Sequence, residues 1–185
     1  MKNSKINGEW TTNELQSNKD WLINLDDIDN EELLKATKLA IKTNKNLYEI
    51  ESKDFPLKHF LKKINHIKNQ IQSGFGFVVI KNLPVAEFND EEVKRMLWGI
   101  GQYIGYPEKQ DKAGALLHVV TDTGASFEKT DHIRGFQTNE ELQFHTDGAD
   151  IFALLCVRNA KSGGLSKLVS SVAIIATYPS EVPFV

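Results

Sequence analysis

With 185 residues, 41% of them apolar, the chain is long enough for one ordinary domain with its own core. Twenty-two Lys and Arg against 25 Asp and Glu leave a net charge of −3, with no basic surplus for nucleic acid and no polybasic patch for a membrane surface. A single cysteine, Cys156, excludes an intrachain disulfide and fits a reducing, cytoplasmic setting.

The opening stretch MKNSKINGEWTTNELQ has no apolar run of signal-peptide length, and IFALLCV, the longest clean apolar run, is too short to span a bilayer. The expectation is a soluble intracellular protein. Residues 1–28 are polar with scattered Trp10, Trp21 and Leu22, and read as a partly disordered segment whose tryptophans dock on the body. Asn30 is placed to cap a helix through EELLKATKLAIKTN, with Glu31 and Glu32 in its first turn. A second helix has Pro56 at its first position and an apolar stripe of Leu57, Phe60, Leu61, Ile64, Ile67 and Ile71, and stops at Gly74. His59 and His66 fall on its polar side and read as solvated surface residues. The period then changes, and Gly76–Leu83 reads as a strand bounded by glycine and Pro84. Asn89-Asp-Glu-Glu92 forms a capping box for a helix burying Val93, Met96, Leu97, Ile100 and Tyr103 or Ile104, ended by Gly105 and Pro107.

From about residue 114 the pattern becomes strand and turn. ALLHVV (115–120), QFHTD, IFALLCVR and SKLVSS read as successive strands, with TDTG and NAKSGG as turns. Cys156 lies inside the apolar run Ile151–Val157 and is expected to be a buried core residue rather than a reactive thiol. There is no internal repeat. Helices come first and strands last, which makes the class α+β.

The chemistry concentrates in FHTDGAD (144–150). Side chains two apart on a strand share a face, so His145 and Asp147 would project together and Thr146 away. An imidazole beside a carboxylate supplies two ligands of the 2-His-1-carboxylate triad of non-haem Fe(II). From the triplet alone, a strand histidine hydrogen-bonded to a neighbouring aspartate is the simpler account.

The stretch ELQFHTDGADIFALLCVRNAKSGGLSKLVSSVA resembles the TauD/TfdA-like Fe(II)/2-oxoglutarate-dependent dioxygenases, related to clavaminate synthase. The resemblance runs from about Gly74 to Ala173 and includes GFGFVVIKNLPV and WGIGQYIGYPEKQD. H-T-D is weak by itself, as is the later Gly163-Gly164-Leu165-Ser166, but both in this order and separation are specific. The resemblance implies a double-stranded β-helix, or jelly roll, behind N-terminal helices. It implies His145 and Asp147 as metal ligands and Ser166 as a hydroxyl holding 2-oxoglutarate; an ordinary strand-start serine is the other account of Ser166. It places Gln137, Thr138 and Asn139, with Arg134, near a substrate mouth, where solvated loop residues are the simpler account. Fe(II) and 2-oxoglutarate would be the cofactors, and dioxygen and a small organic molecule the partners, with no nucleic acid and no membrane.

The family also uses a distal histidine as third ligand and an arginine beyond it for 2-oxoglutarate. After Asp147 the sequence has no histidine, and Arg158 is its only later arginine. His118 and His132 precede the motif, where the family places no ligand. The expectation is therefore a partial domain over residues 29–173, incomplete at its C-terminus, with 174–185 an atypical tail, possibly out of frame. Such a fragment would have impaired or no activity alone. Open strand edges would invite an oligomer or a partner chain. The competing reading is a non-catalytic remnant or binding module completed by a partner. A cupin-like metal enzyme would need a further ligand cluster, and the sequence shows none.

Overall fold

The computed structural model describes residues 6–121 and 142–177. The chain divides into two compact units, one made of Met1–Gly105 with Cys156–Val185, the other of Tyr106–Leu155.

The first unit combines helices with a small parallel sheet. Helix α1 (Thr12–Ser17) is closed by a capping box between Thr11 and Glu14. Strand β1 (Leu22–Asn24) lies parallel to β2 (Val79–Lys81), with Leu22 opposite Val79 and Asn24 opposite Lys81. The expected strand at 76–83 thus contracts to three residues, and its partner comes from the segment expected to be partly disordered. The tryptophans of that segment do dock. Trp10 Nε1 donates to the Phe75 carbonyl at 2.9 Å, and the rings of Trp10 and Trp21 lie 5.5 and 5.6 Å from that of Phe77.

Helix α2 (Asp27–Lys42) starts earlier than Asn30. Asp26 is its cap, because Asp26 and Asp29 bond reciprocally to each other's backbone N–H at 2.9 and 3.0 Å. Its buried face is Leu33, Ala36, Thr37 and Ala40, the i, i+3, i+4, i+7 stripe of a core helix.

Helix α3 (Leu61–Ser73) begins at Leu61 rather than Pro56. The carboxylate of Glu32 explains the delay. It accepts the backbone N–H groups of Lys58, His59 and Phe60 at 2.8, 3.0 and 2.7 Å, so the approach to the helix is bound to α2 before the first turn closes. Gly74 ends α3, as its position predicts.

Helix α4 (Asp90–Gly101) carries the expected Asn89–Glu92 box and buries Val93, Met96 and Ile100. It also buries Trp98, which the sequence pattern did not single out; its Nε1 donates to the Ile50 carbonyl at 3.0 Å. The segment gripping α4 contains two 3-10 turns, Leu47–Glu49 and Ser52–Asp54, followed by the fully buried Phe55. Tyr103 Oη lies 2.9 Å from the Phe55 carbonyl and accepts the Leu57 N–H at 3.3 Å.

Helix α5 (Ser171–Thr177) follows a residue, Ser170, that reaches back to the segment around Gly8. The buried hydroxyl of Ser170 donates to the Gly8 carbonyl at 2.6 Å and accepts the Ala173 N–H at 2.9 Å, while Gly8 N–H bonds the Gly74 carbonyl at 3.1 Å. Ser170→Ala removes a helix cap and this tie together. It is expected to cost about 1–2 kcal/mol in urea denaturation; an unchanged midpoint would show that the junction contributes nothing.

The strands expected at ALLHVV, QFHTD, IFALLCVR and SKLVSS are not formed among the described residues. A strand exists only with a neighbour to complete its ladder, and no described segment offers one here. Many of their apolar side chains stand in solvent instead, with Leu154 76% and Leu168 53% exposed. Cys156, expected in the core, is exposed for the same reason. No helix of the described residues is long and apolar enough to cross a membrane.

Candidate functional site

His145 and Asp147 lie in the second unit, both exposed, on a segment without strand pairing. The strand that was to align them is absent, yet one feature of His145 bears on chemistry. Its Nδ1 is 2.8 Å from the Gln143 carbonyl oxygen. A carbonyl only accepts, so in this contact Nδ1 carries the proton, and the neutral ring keeps its lone pair on Nε2. Metal-binding histidines commonly have this arrangement, with one nitrogen donating to a carbonyl and the other facing the ion. An imidazole and an accessible carboxylate are ligand types that suit Fe(II), though the described structure does not hold the two on one strand face. Among the described residues no third His, Cys, Asp or Glu gathers with them.

His118 is engaged elsewhere in the same unit. Its Nε2 is 3.3 Å from Asp111 Oδ2, and Asp111 Oδ1 accepts the Ala115 N–H at 3.0 Å. That backbone bond holds the Asp111 carboxyl below the usual range; partial burial opposes it, and the amides of Ala113 and Gly114 and the His118 ring assist it. His118 and Asp111 thus shape a turn.

Ser166 belongs to the first unit, its side chain exposed. The tight turn before it is real: Gly163 and Gly164 have φ of +74° and +69°, left-handed values that disfavour other residues. A free hydroxyl beyond such a turn fits a carboxylate acceptor. His132, Arg134, Gln137, Thr138 and Asn139 lie outside the described residues.

A sequence model of the taurine catabolism dioxygenase TauD, TfdA family matches residues 40–183. The chain belongs to the TauD/TfdA family. The matched span takes in His145, Asp147 and Ser166 and continues past Ala173. Among curated relatives, FR-33289 synthase of Streptomyces rubellomurinus is 28% identical over 174 residues, which are 94% of this chain and 51% of that protein. The taurine hydroxylase-like protein SAT17 of Stachybotrys chartarum is 25% identical over 178 residues, 92% of this chain and 46% of its own. The chain therefore spans about half the length of these relatives.

One cluster of donors escaped the sequence pattern. Asp26, Asp29 and His59 each place a ligand atom within 4.8 Å of the others, on the first unit. The Asp26 carboxyl is held below its usual range, first by the Asp29 backbone N–H, with burial opposing and Lys63 and His59 assisting. His59, expected on a solvated face, is 42% exposed and points its Nε2 at Asp29. The only signal for it was the Asp26-x-x-Asp29 spacing; that His59 meets it depends on how α3 packs on α2.

Proposed function

We propose that this chain carries the H-T-D part of an Fe(II)/2-oxoglutarate-dependent dioxygenase that hydroxylates a small organic substrate. The family match over residues 40–183, which contains His145-Thr146-Asp147, carries this reading. Fe(II) with 2-oxoglutarate and dioxygen would supply C–H hydroxylation coupled to decarboxylation of 2-oxoglutarate to succinate. His145 Nε2 and a carboxylate oxygen of Asp147 would hold the iron. The Gln143 carbonyl, by accepting from Nδ1, would orient the ring. The Ser166 hydroxyl would donate to a carboxylate of 2-oxoglutarate. Gln137, Thr138 and Asn139 would shape the substrate mouth. The fold we infer for the whole protein is a jelly roll behind N-terminal helices, in the cytoplasm, with this chain holding its first part; the relatives are about twice as long.

The test is anaerobic titration of the purified chain with Fe(II) and 2-oxoglutarate, followed by the visible charge-transfer band of the chelate. The band is expected to appear and to vanish in His145→Ala. A folded chain that gives no band refutes the reading for this chain and favours a second one, a non-catalytic module completed by a partner or a second copy. The exposed apolar side chains of Phe144, Leu154, Leu165 and Ile175 favour that alternative.

A further inference from the structure

We propose that Asp26, Asp29 and His59 form a binding site for a divalent first-row cation such as Zn²⁺. The site is separate from the iron reading and does not rest on it.

Asp29 carries the argument. Its side chain is 0% exposed, and its two oxygens are treated differently. Oδ2 accepts the Asp26 N–H at 3.0 Å and faces Lys63 Nζ at 3.1 Å. Oδ1 has no hydrogen-bond partner. Leaving one oxygen of a fully buried carboxylate unsatisfied is costly, so such an atom calls for an explanation. The group facing it is His59 Nε2, at 3.7 Å. That is too long for a hydrogen bond. It is close to the separation of two ligands of one ion, since bonds of roughly 2.0–2.2 Å at tetrahedral angles set donor atoms roughly 3.3–3.6 Å apart. An oxygen of Asp26 lies within reach of both.

Charge agrees with geometry. Asp26, Asp29 and the nearby Glu32, which accepts the His59 N–H, set three carboxylates against the Lys63 ammonium that faces Asp29, so these four groups leave two negative charges. A dipositive ion balances them. Two carboxylates and one imidazole suit Zn²⁺ or Mn²⁺, whereas Ca²⁺ prefers an all-oxygen cage. Access is from the solvent side, because Asp26 is exposed and His59 half-exposed. Water would complete the coordination. The ion would clamp the first turn of α2 to the segment that enters α3.

The test is calorimetric titration of the full chain with Zn²⁺ in the His145→Ala background, so that the H-T-D triplet contributes nothing. One Zn²⁺ is expected to bind. His59→Ala in that background should weaken it by at least the roughly 10–100-fold that loss of even an outer-shell partner costs. Asp26→Asn should do likewise. His59→Ala is expected to fold, since its ring is partly exposed and the bond from its backbone to Glu32 stays. Absence of binding in the His145→Ala protein overturns the site. So does Zn²⁺ affinity that His59→Ala leaves unchanged.

Discussion

Gly99→Ala is expected to destabilise the chain by about 2 kcal/mol, a fall in Tm of roughly 4–8 °C for a protein of this size. Alanine by itself would favour helix α4 by about 1 kcal/mol over glycine. The steric effect outweighs that gain. A Cβ at position 99 would overlap Cγ and Cδ2 of Phe55 and stand 2.7 Å from its Cε2. These are ring atoms, not the end of a flexible chain, and the ring is fully buried. The Phe55 backbone is also held, its carbonyl accepting the Tyr103 hydroxyl. Phe55→Leu in the Gly99→Ala background should restore part of the loss, because a smaller side chain vacates the overlap. Thermal and urea denaturation of the two single variants and the double variant measure this. A Gly99→Ala protein as stable as the parent would mean that the Phe55 ring does not lie against the helix.

Glu32→Ala is expected to cost about 3 kcal/mol, because three backbone N–H groups lose a charged acceptor at once. Glu32→Gln should cost less, about 1 kcal/mol, since an amide oxygen can still serve one side. The carboxylate uses both oxygens: Oε1 takes the N–H groups of Lys58 and His59, and Oε2 that of Phe60, so the amide nitrogen would face one donor. The same contacts make a pH prediction. Burial pushes the Glu32 carboxyl up, but the three N–H groups together outweigh it and leave the group below its ordinary value of 4.5. A lowered folded-state value stabilises the fold above the unfolded value, and that stability is lost as pH falls through the lower one. The parent should therefore lose stability on acidification below about pH 4.5, and Glu32→Gln should flatten that limb. Equal acid limbs would show that Glu32 gains nothing from the three amides.

Local signals were the ones legible in the sequence. The Asn89–Glu92 box and the α3 stripe need only neighbours three or four residues away; the box appears as read, and Ile64 and Ile67 of the stripe are buried on the helix. The start of α3 was misplaced because its cause, Glu32, sits on another helix. The start of α2 was misplaced because Asp26 and Asn30 are both good caps, and only the reciprocal partner Asp29 distinguishes them. The strands after residue 114 were read from short runs set between turn signals, which mark candidate strands but supply no pairing partner. For the candidate site, H-T-D and Gly-Gly-x-Ser were visible as text. The proton position on His145 was not, because it depends on where the Gln143 carbonyl turns.

The junction of Gly8, Gly74 and Ser170 has a consequence in time. The bond from Ser170 to Gly8 joins residues 162 positions apart. Loop-closure entropy must be spent before so distant a contact returns anything, and such contacts slow folding. During synthesis the helices α2, α3 and α4 can pack as they emerge, but the N-terminal strap around Gly8 has no hydroxyl to hold it until Ser170 has left the ribosome. The Gly8–Ser170 contact is thus among the last to form. A protease added during translation should cut near Gly8 more readily before α5 docks than after.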